Sequence, residues 1–113
     1  MNISRSSVAA LRKRRHELAH DLPSIEQMLR GSLSETYKRC GRPNCHCAAG
    51  RGHGPKYYLS ISQPGRRAWR GYVPNATQPQ VTEFIGNFRK LQAMLEEISA
   101  INAELLRRRE NLD

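Results

Sequence analysis

Hydrophobic spacing divides the chain into helical ends and an alternating middle. From Ser7 to about His20, Val8, Leu11, Leu18 and Leu22 recur at helical spacing behind Ser6 or Ser7, either of which can cap the helix, and Arg15 interrupts the stripe. Pro23, two residues after Asp21, predicts a break and then a short helix that buries Ile25, Met28 and Leu29 and ends before Gly31. The period then falls to two. Leu33 to Lys38 alternates apolar and polar residues, and Tyr57 to Ile61 and Arg67 to Val73 flank the turn Gln63-Pro64-Gly65-Arg66. Pro followed by Gly suits a type II turn, because Pro presets the second position and Gly tolerates the positive φ of the third. In that register Tyr57, Leu59 and Ile61 share a core face with Ala68 and Tyr72. Tyr58 shares the opposite face with Ser60, Ser62, Arg67 and Trp69, which makes that face aromatic, hydroxylated and basic.

The strongest periodicity runs from about Gln78 to Asn111. Phe84, Phe88, Leu91, Leu95, Ile98, Asn102 and Leu105 are spaced 4, 3, 4, 3, 4, 3, a heptad seam. Some ~30 residues at 1.5 Å each span ~45 Å, more than a domain of this size needs for its own core. Two uses of the seam stand level. Phe88, Leu91, Leu95, Ile98, Asn102 and Leu105 can pair with a second chain, Asn102 then setting register at an a-type position. Alternatively the helix packs on the N-terminal helix of its own chain and Asn102 is solvated. The fold expected is α+β: a small antiparallel sheet with a zinc loop, flanked by an N-terminal helix and a long coiled-coil-like C-terminal helix. Its segments are 1–30, 31–74 and 75–113 within a single domain.

Composition makes a staple useful, since a 113-residue chain with 38% hydrophobic residues has a modest core. All three cysteines lie between positions 40 and 47, and an odd, clustered set cannot form a full disulfide framework. The first residues lack the basic flank, apolar run and cleavage site of a signal peptide, and no stretch has the ~18 apolar residues of a membrane helix. A reduced, cytoplasmic chain without a membrane span is the expectation. Charge is uneven: of the net +9, residues 30–72 carry nine Lys and Arg against Glu35 alone, while the two flanks nearly balance. A polyanionic partner at the middle segment follows.

The chemistry concentrates in that segment. Cys40, Cys45, Cys47 and His53 read as C-x4-C-x-C-x5-H, with Gly41, Gly50, Gly52 and Gly54 to let the backbone turn and Pro43 and Pro55 to stiffen it. Thiolates and imidazole at short loop spacing supply the four donors zinc takes in a tetrahedron. His46 competes for the fourth place, but in an extended backbone its side chain points away from a site that Cys45 and Cys47 both face, so His53 is preferred. Free thiols and an iron–sulfur cluster are the weaker alternatives, the latter because clusters usually take four cysteines. His16 and His20, one helical turn apart, read as surface histidines. A closed Cys3His set leaves zinc no open position, so the metal is structural and the protein is not an enzyme.

Lys38, Arg39, Arg42, Arg51 and Lys56 frame the metal loop, and Arg66, Arg67 and Arg70 accompany Trp69, Tyr58 and Tyr72 on the hairpin. Cations neutralise phosphates and exposed aromatic rings stack on unpaired bases, which makes DNA or RNA the expected partner. Arg12 to Arg15 and Arg107 to Arg109 read as solvated helix faces. The rival function is a protein-interaction adaptor working through the C-terminal seam, with zinc purely structural.

Within Gly31 to Tyr72 the chain resembles a family of small prokaryotic proteins, the DUF6788-type domain. The matching residues are Gly31-Ser32-Leu33, Tyr37-Lys38-Arg39-Cys40-Gly41, Cys45-His46-Cys47, Gly52-His53-Gly54-Pro55 and Tyr57-Tyr58-Leu59-Ser60, and the C-terminal helix continues the likeness. The resemblance supports the Cys-rich site and implies no activity.

Overall fold

The computed structural model describes residues 1–39, 41–44, 50 and 52–113. Along the chain it has a 3-10 turn over Ile3–Arg5, helix α1 over Val8–His20, strands β1 (Ser32–Lys38), β2 (His53–Ile61) and β3 (Trp69–Val73), and helix α2 over Gln78–Arg107. The expected α+β arrangement is therefore present: an N-terminal helix, an antiparallel sheet in the order β1-β2-β3, and a long C-terminal helix. The chain forms two compact units, Met1–Gln27 with Asn87–Asp113, and Met28–Gly86. Helix α2 contributes residues to both units. Among the described residues no helix is long and apolar enough to cross a membrane.

In the first unit α1 packs on the later part of α2. The Ser7 hydroxyl accepts the Ala10 N–H at 3.1 Å, satisfying one of the donors a helix start leaves open. Leu11 and Leu18, two turns apart, are buried with Met94, Ile101 and Leu105, and Ile3, Val8 and Ile98 pack against them. Leu22 lies beyond the end of α1 and is exposed.

The buried stripe of α2 here is Met94, Ile98, Ile101 and Leu105. It shares Ile98 and Leu105 with the predicted seam, but Met94 and Ile101 take the inner positions assigned to Leu95 and Asn102. Both sets satisfy a 4-3 spacing. This rotation buries Ile101 completely and leaves the polar Asn102 half-buried, with its Oδ1 accepting a hydrogen bond from Arg15, so the amide is not buried unpaired.

Glu104 is a buried acid at 6% exposure. Arg107 and Arg108 both bind its carboxylate, Arg108 through Nε at 3.0 Å, and Arg108 also donates to the carbonyls of Ile3, Ser4 and Ser6. A charge removed from water is tolerable when it is paired and fully hydrogen-bonded, as this one is.

Helix α2 stops at Arg107, before the predicted Asn111. The N–H of Arg109 bonds the carbonyl of Leu106 and that of Glu110 the carbonyl of Leu105, a Schellman ending with Arg109 at φ 60° in the left-handed position.

The second unit is the sheet with the start of α2. Leu59, Val73 and Ile85 form its core, with Leu29, Leu33, Tyr57, Ile61 and Val81 packed around them. Each buried aliphatic side chain contributes about 2 kcal/mol. The predicted turn is present: Arg66 N–H bonds Gln63 carbonyl at 3.1 Å and Gly65 has φ 68°.

Two predictions fail, one before the sheet and one within it. Between Asp21 and Gly31 there is no helix, only a turn closed by Gln27 N–H on Ser24 carbonyl, and Ile25 is 62% exposed. A helix so short gains too few bonds to offset its nucleation, whereas Leu29 enters the sheet core and its N–H bonds Phe84 carbonyl. The hairpin register is also displaced by one residue. Tyr57 faces Val73, Tyr58 faces Tyr72, and Ile61 faces Trp69. Because side chains alternate, this slip exchanges the faces of β3: Val73 and Trp69 move to the Leu59 side and Tyr72 to the Tyr58 side. The driving term is Val73, buried to 5% exposure, where the predicted register would have left it opposite the core.

Candidate functional site

Strands β1 and β2 pair with a constant offset from Ser32↔Ser60 to Thr36↔Lys56, then the register shifts so that Lys38 faces His53 instead of Gly54. His53 is half-buried and opens β2. Lys38 and His53, where β1 ends and β2 begins, thus stand side by side on adjacent strands. Gly52, at φ 101°, approaches the end of β1 closely: a Cβ there would stand 2.5 Å from the Lys38 carbonyl carbon and 2.7 Å from the Arg39 nitrogen. Arg39 Nε donates to Gly50 carbonyl at 2.9 Å, a second tie between the chain leaving β1 and the chain entering β2.

Of the predicted metal ligands, His53 stands at this root, while Cys40, Cys45 and Cys47 lie outside the described residues, as do the rival ligand His46 and the cation Arg51. Among the described residues there is no group of three or more His, Cys, Asp or Glu side chains that could hold a metal. Three thiols and an imidazole at this short sequence spacing fit zinc chemically. His16 and His20 are exposed, their rings 4.0 Å apart, with His20 Nδ1 2.8 Å from the His16 carbonyl oxygen.

The sheet has two chemically different faces. Leu33, Tyr57, Leu59, Ile61 and Val73 turn to the core, together with Trp69, which is 50% exposed. A Cβ on Gly71 would stand 2.2 Å from Trp69 Cη2, so the indole lies across that glycine. Trp69 therefore does not join Tyr58, contrary to the predicted register. The other face carries Lys56, Tyr58 and Ser60 from β2, Arg70 and Tyr72 from β3, and Ser32, Ser34 and Thr36 from β1. Tyr58 and Tyr72 meet edge to face, ring centroids 5.9 Å apart at 68°, and the Arg70 guanidinium sits 4.7 Å over the Tyr58 ring. Ser34 and Thr36 hydroxyls donate to the Tyr58 and Lys56 carbonyls.

The remaining predicted cations are all exposed: Lys38 at the end of β1, Arg39 and Arg42 in the loop, and Arg66 and Arg67 in the connection between β2 and β3. Tyr72, grouped with the basic hairpin from the sequence but assigned to the core face, lies instead on the Tyr58 face. Its signal was available in the alternation Trp69, Gly71, Val73, which matches Ile61, Leu59, Tyr57 when Val73 is required to be buried.

The helical arginines are not simple solvated faces. Arg12 donates to Asn111 carbonyl at 2.6 Å, Arg15 to Asn102 Oδ1 at 2.7 Å and to Leu112 carbonyl at 2.6 Å, and Arg14 forms an ion pair with Glu97. Arg14 holds the Glu97 carboxyl below the usual carboxylate range through their hydrogen bond, against a smaller opposing effect of burial, and its own guanidinium is shifted upward by that same bond. These cations serve the helix pair. Of the predicted oligomerisation residues, Leu105 and Ile98 are used inside the unit and Asn102 is bonded to Arg15. Phe88 and Leu91 are half-buried, and Leu95 is 54% exposed.

A family model described as a domain of unknown function, DUF6788, matches residues 8–83. The match takes in α1, which the resemblance noted from the sequence left aside, and ends within the first turns of α2 instead of following that helix. No curated protein and no solved structure matches the chain.

Proposed function

The chain belongs to the DUF6788 family, whose function is unassigned, and we propose from its own residues that it is a zinc-stabilised nucleic-acid-binding protein of the prokaryotic cytoplasm. The observation that carries this reading is the grouping of Arg70, Tyr58, Tyr72 and Lys56 on one sheet face whose strand positions hold no carboxylate. Cations on such a face neutralise phosphates, and its rings offer stacking area. Lys38, Arg39, Arg42, Arg66 and Arg67 extend the positive charge beyond it.

Zinc would be held by Cys40, Cys45, Cys47 and His53, with His46 the competitor of His53. When bound, the ion cross-links the loop between β1 and β2 and so limits the motion of the chain that carries Arg39, Arg42 and Arg51. Four protein ligands leave no place for a reacting water, so its role is structural and the protein is a binder, not an enzyme. Clustered, odd-numbered thiols are also what a reducing compartment preserves.

The test is binding of labelled DNA and RNA across a salt series. Phosphate neutralisation predicts affinity that falls steeply with salt, and a smaller salt response when Arg66, Arg67 and Arg70 are changed to Ala. Absence of binding at low salt overturns the reading in favour of the second one, a protein-interaction adaptor. That alternative is favoured by Leu95, exposed on α2 beside half-buried Phe88 and Leu91. It predicts a mass in solution above that of one chain, reduced by Leu95→Glu.

A further inference from the structure

Resting on the nucleic-acid reading, we propose that the open sheet face takes an unpaired strand in preference to a duplex, and that a base stacks on Tyr72. Direct pairing of Tyr58 with Tyr72 puts both rings on this face, but they are not equivalent. Tyr58 is half-buried and one side of its ring is covered by the Arg70 guanidinium at 4.7 Å. Tyr72 is 56% exposed and touches Tyr58 edge to face, so Tyr58 braces it without covering it. A ring held by its neighbour and open to solvent gives up little freedom when a base lies on it.

The surroundings favour the same occupant. Serine and threonine fill the β1 positions of this face, and Ser34 and Thr36 fold their hydroxyls back onto β2 carbonyls, so little bulk stands above the rings from that side. Arg70 lies two residues before Tyr72 on the same strand, and Lys56 lies two residues before Tyr58 on the next. Cations therefore flank the rings where the phosphates on either side of a stacked base would pass. Glu35 points to the opposite face and accepts a hydrogen bond from Tyr37 at 2.5 Å.

A duplex fits this face poorly. Its bases are stacked on one another, and its major groove, about 12 Å wide, admits a helix or a two-stranded ribbon edge-on and not the flat side of three strands. Phosphates alone could meet Arg70 and Lys56, and Tyr72 would contribute nothing. Unpaired bases can be splayed out and stacked on an aromatic ring irrespective of sequence.

The experiment measures fluorescence anisotropy of labelled single-stranded DNA, single-stranded RNA and a duplex of the same sequence at low salt, using the full chain with its metal. Single strands are expected to bind at least about tenfold more tightly than the duplex, and Tyr72→Ala to weaken single-strand binding by roughly 5- to 100-fold while leaving duplex binding unchanged. Tyr72→Leu keeps a large strand residue without a π face and should match Tyr72→Ala, whereas Tyr72→Phe should stay near the parent. This pair decides the matter even if the Ala variant folds poorly. Equal or tighter duplex binding overturns the proposal. So does single-strand affinity that survives Tyr72→Leu but is lost in Arg70→Ala, and that result leaves the nucleic-acid reading standing on phosphates alone. No binding to any of the three removes both.

Discussion

Arg15 donates from Nη1 to Asn102 Oδ1 at 2.7 Å, joining α1 to α2 at the one polar position of the predicted heptad seam. An amide at such a position can specify pairing between chains, but here its acceptor is taken by a cation of its own chain, which also bonds Leu112 carbonyl. Replacing it by Leu removes a hydrogen bond to a charged group, expected to cost about 1.5–3 kcal/mol. Asn102→Leu should lower the denaturation midpoint and leave the solution mass where the parent has it. A change of mass without loss of stability would assign the amide to pairing between chains instead.

Arg109 occupies the left-handed position of the Schellman ending with φ 60°. A side chain there costs roughly 1–2 kcal/mol that glycine avoids. Arg109→Gly is therefore expected to stabilise the protein by about 1 kcal/mol in chemical denaturation, after glycine's greater freedom in the unfolded chain is set against the relief of strain. Destabilisation would mean that the arginine's charge outweighs its backbone cost.

The Glu97 carboxyl, lowered from its ordinary 4.5 by Arg14, links stability to acid pH. With the folded value below the unfolded one, the contribution is fully present above 4.5 and is lost as pH falls through the lowered folded value. The stability of the parent should decline on acidification through this range, and Glu97→Gln should show a shallower decline with lower stability at neutral pH. Parallel pH curves for the two proteins would count against the linkage.

Zinc stoichiometry by native mass spectrometry tests the ligand set. One zinc per chain is expected in the parent, lost in His53→Ala and retained in His46→Ala; the reverse pattern would transfer the fourth position to His46. Removing the metal with a chelator should also weaken nucleic-acid binding if the ion organises the basic loop.

Much of the architecture was legible because local signals agreed with one another. Ser7 before an apolar stripe marked the start of α1, Pro64-Gly65 marked the turn, and the long period of Phe84 to Leu105 marked α2. Positions decided by distant partners were not legible. Ile25, Met28 and Leu29 have helical spacing, yet Leu29 belongs to the sheet core and its N–H is taken by Phe84. The arginines of α1 look identical in sequence, yet Arg12, Arg14 and Arg15 each have a different partner contributed by residues 97–112.

What the amino-acid sequence determined by itself is the kinds of element and the concentration of chemistry: helical and alternating periods, the clustering of Cys40, Cys45, Cys47 and His53, and the basic middle segment. These follow from spacing and residue type along one strand of chain. Tertiary structure decided which faces these elements turn inward. A one-residue slip in pairing brought Tyr72 beside Tyr58 and turned Trp69 to the other side, and a rotation of α2 put Ile101 inside and Asn102 at the edge. Each choice was set by burial of a residue far away in sequence, Val73 on Leu59 and Ile101 with Leu11, a free energy that local periodicity does not contain.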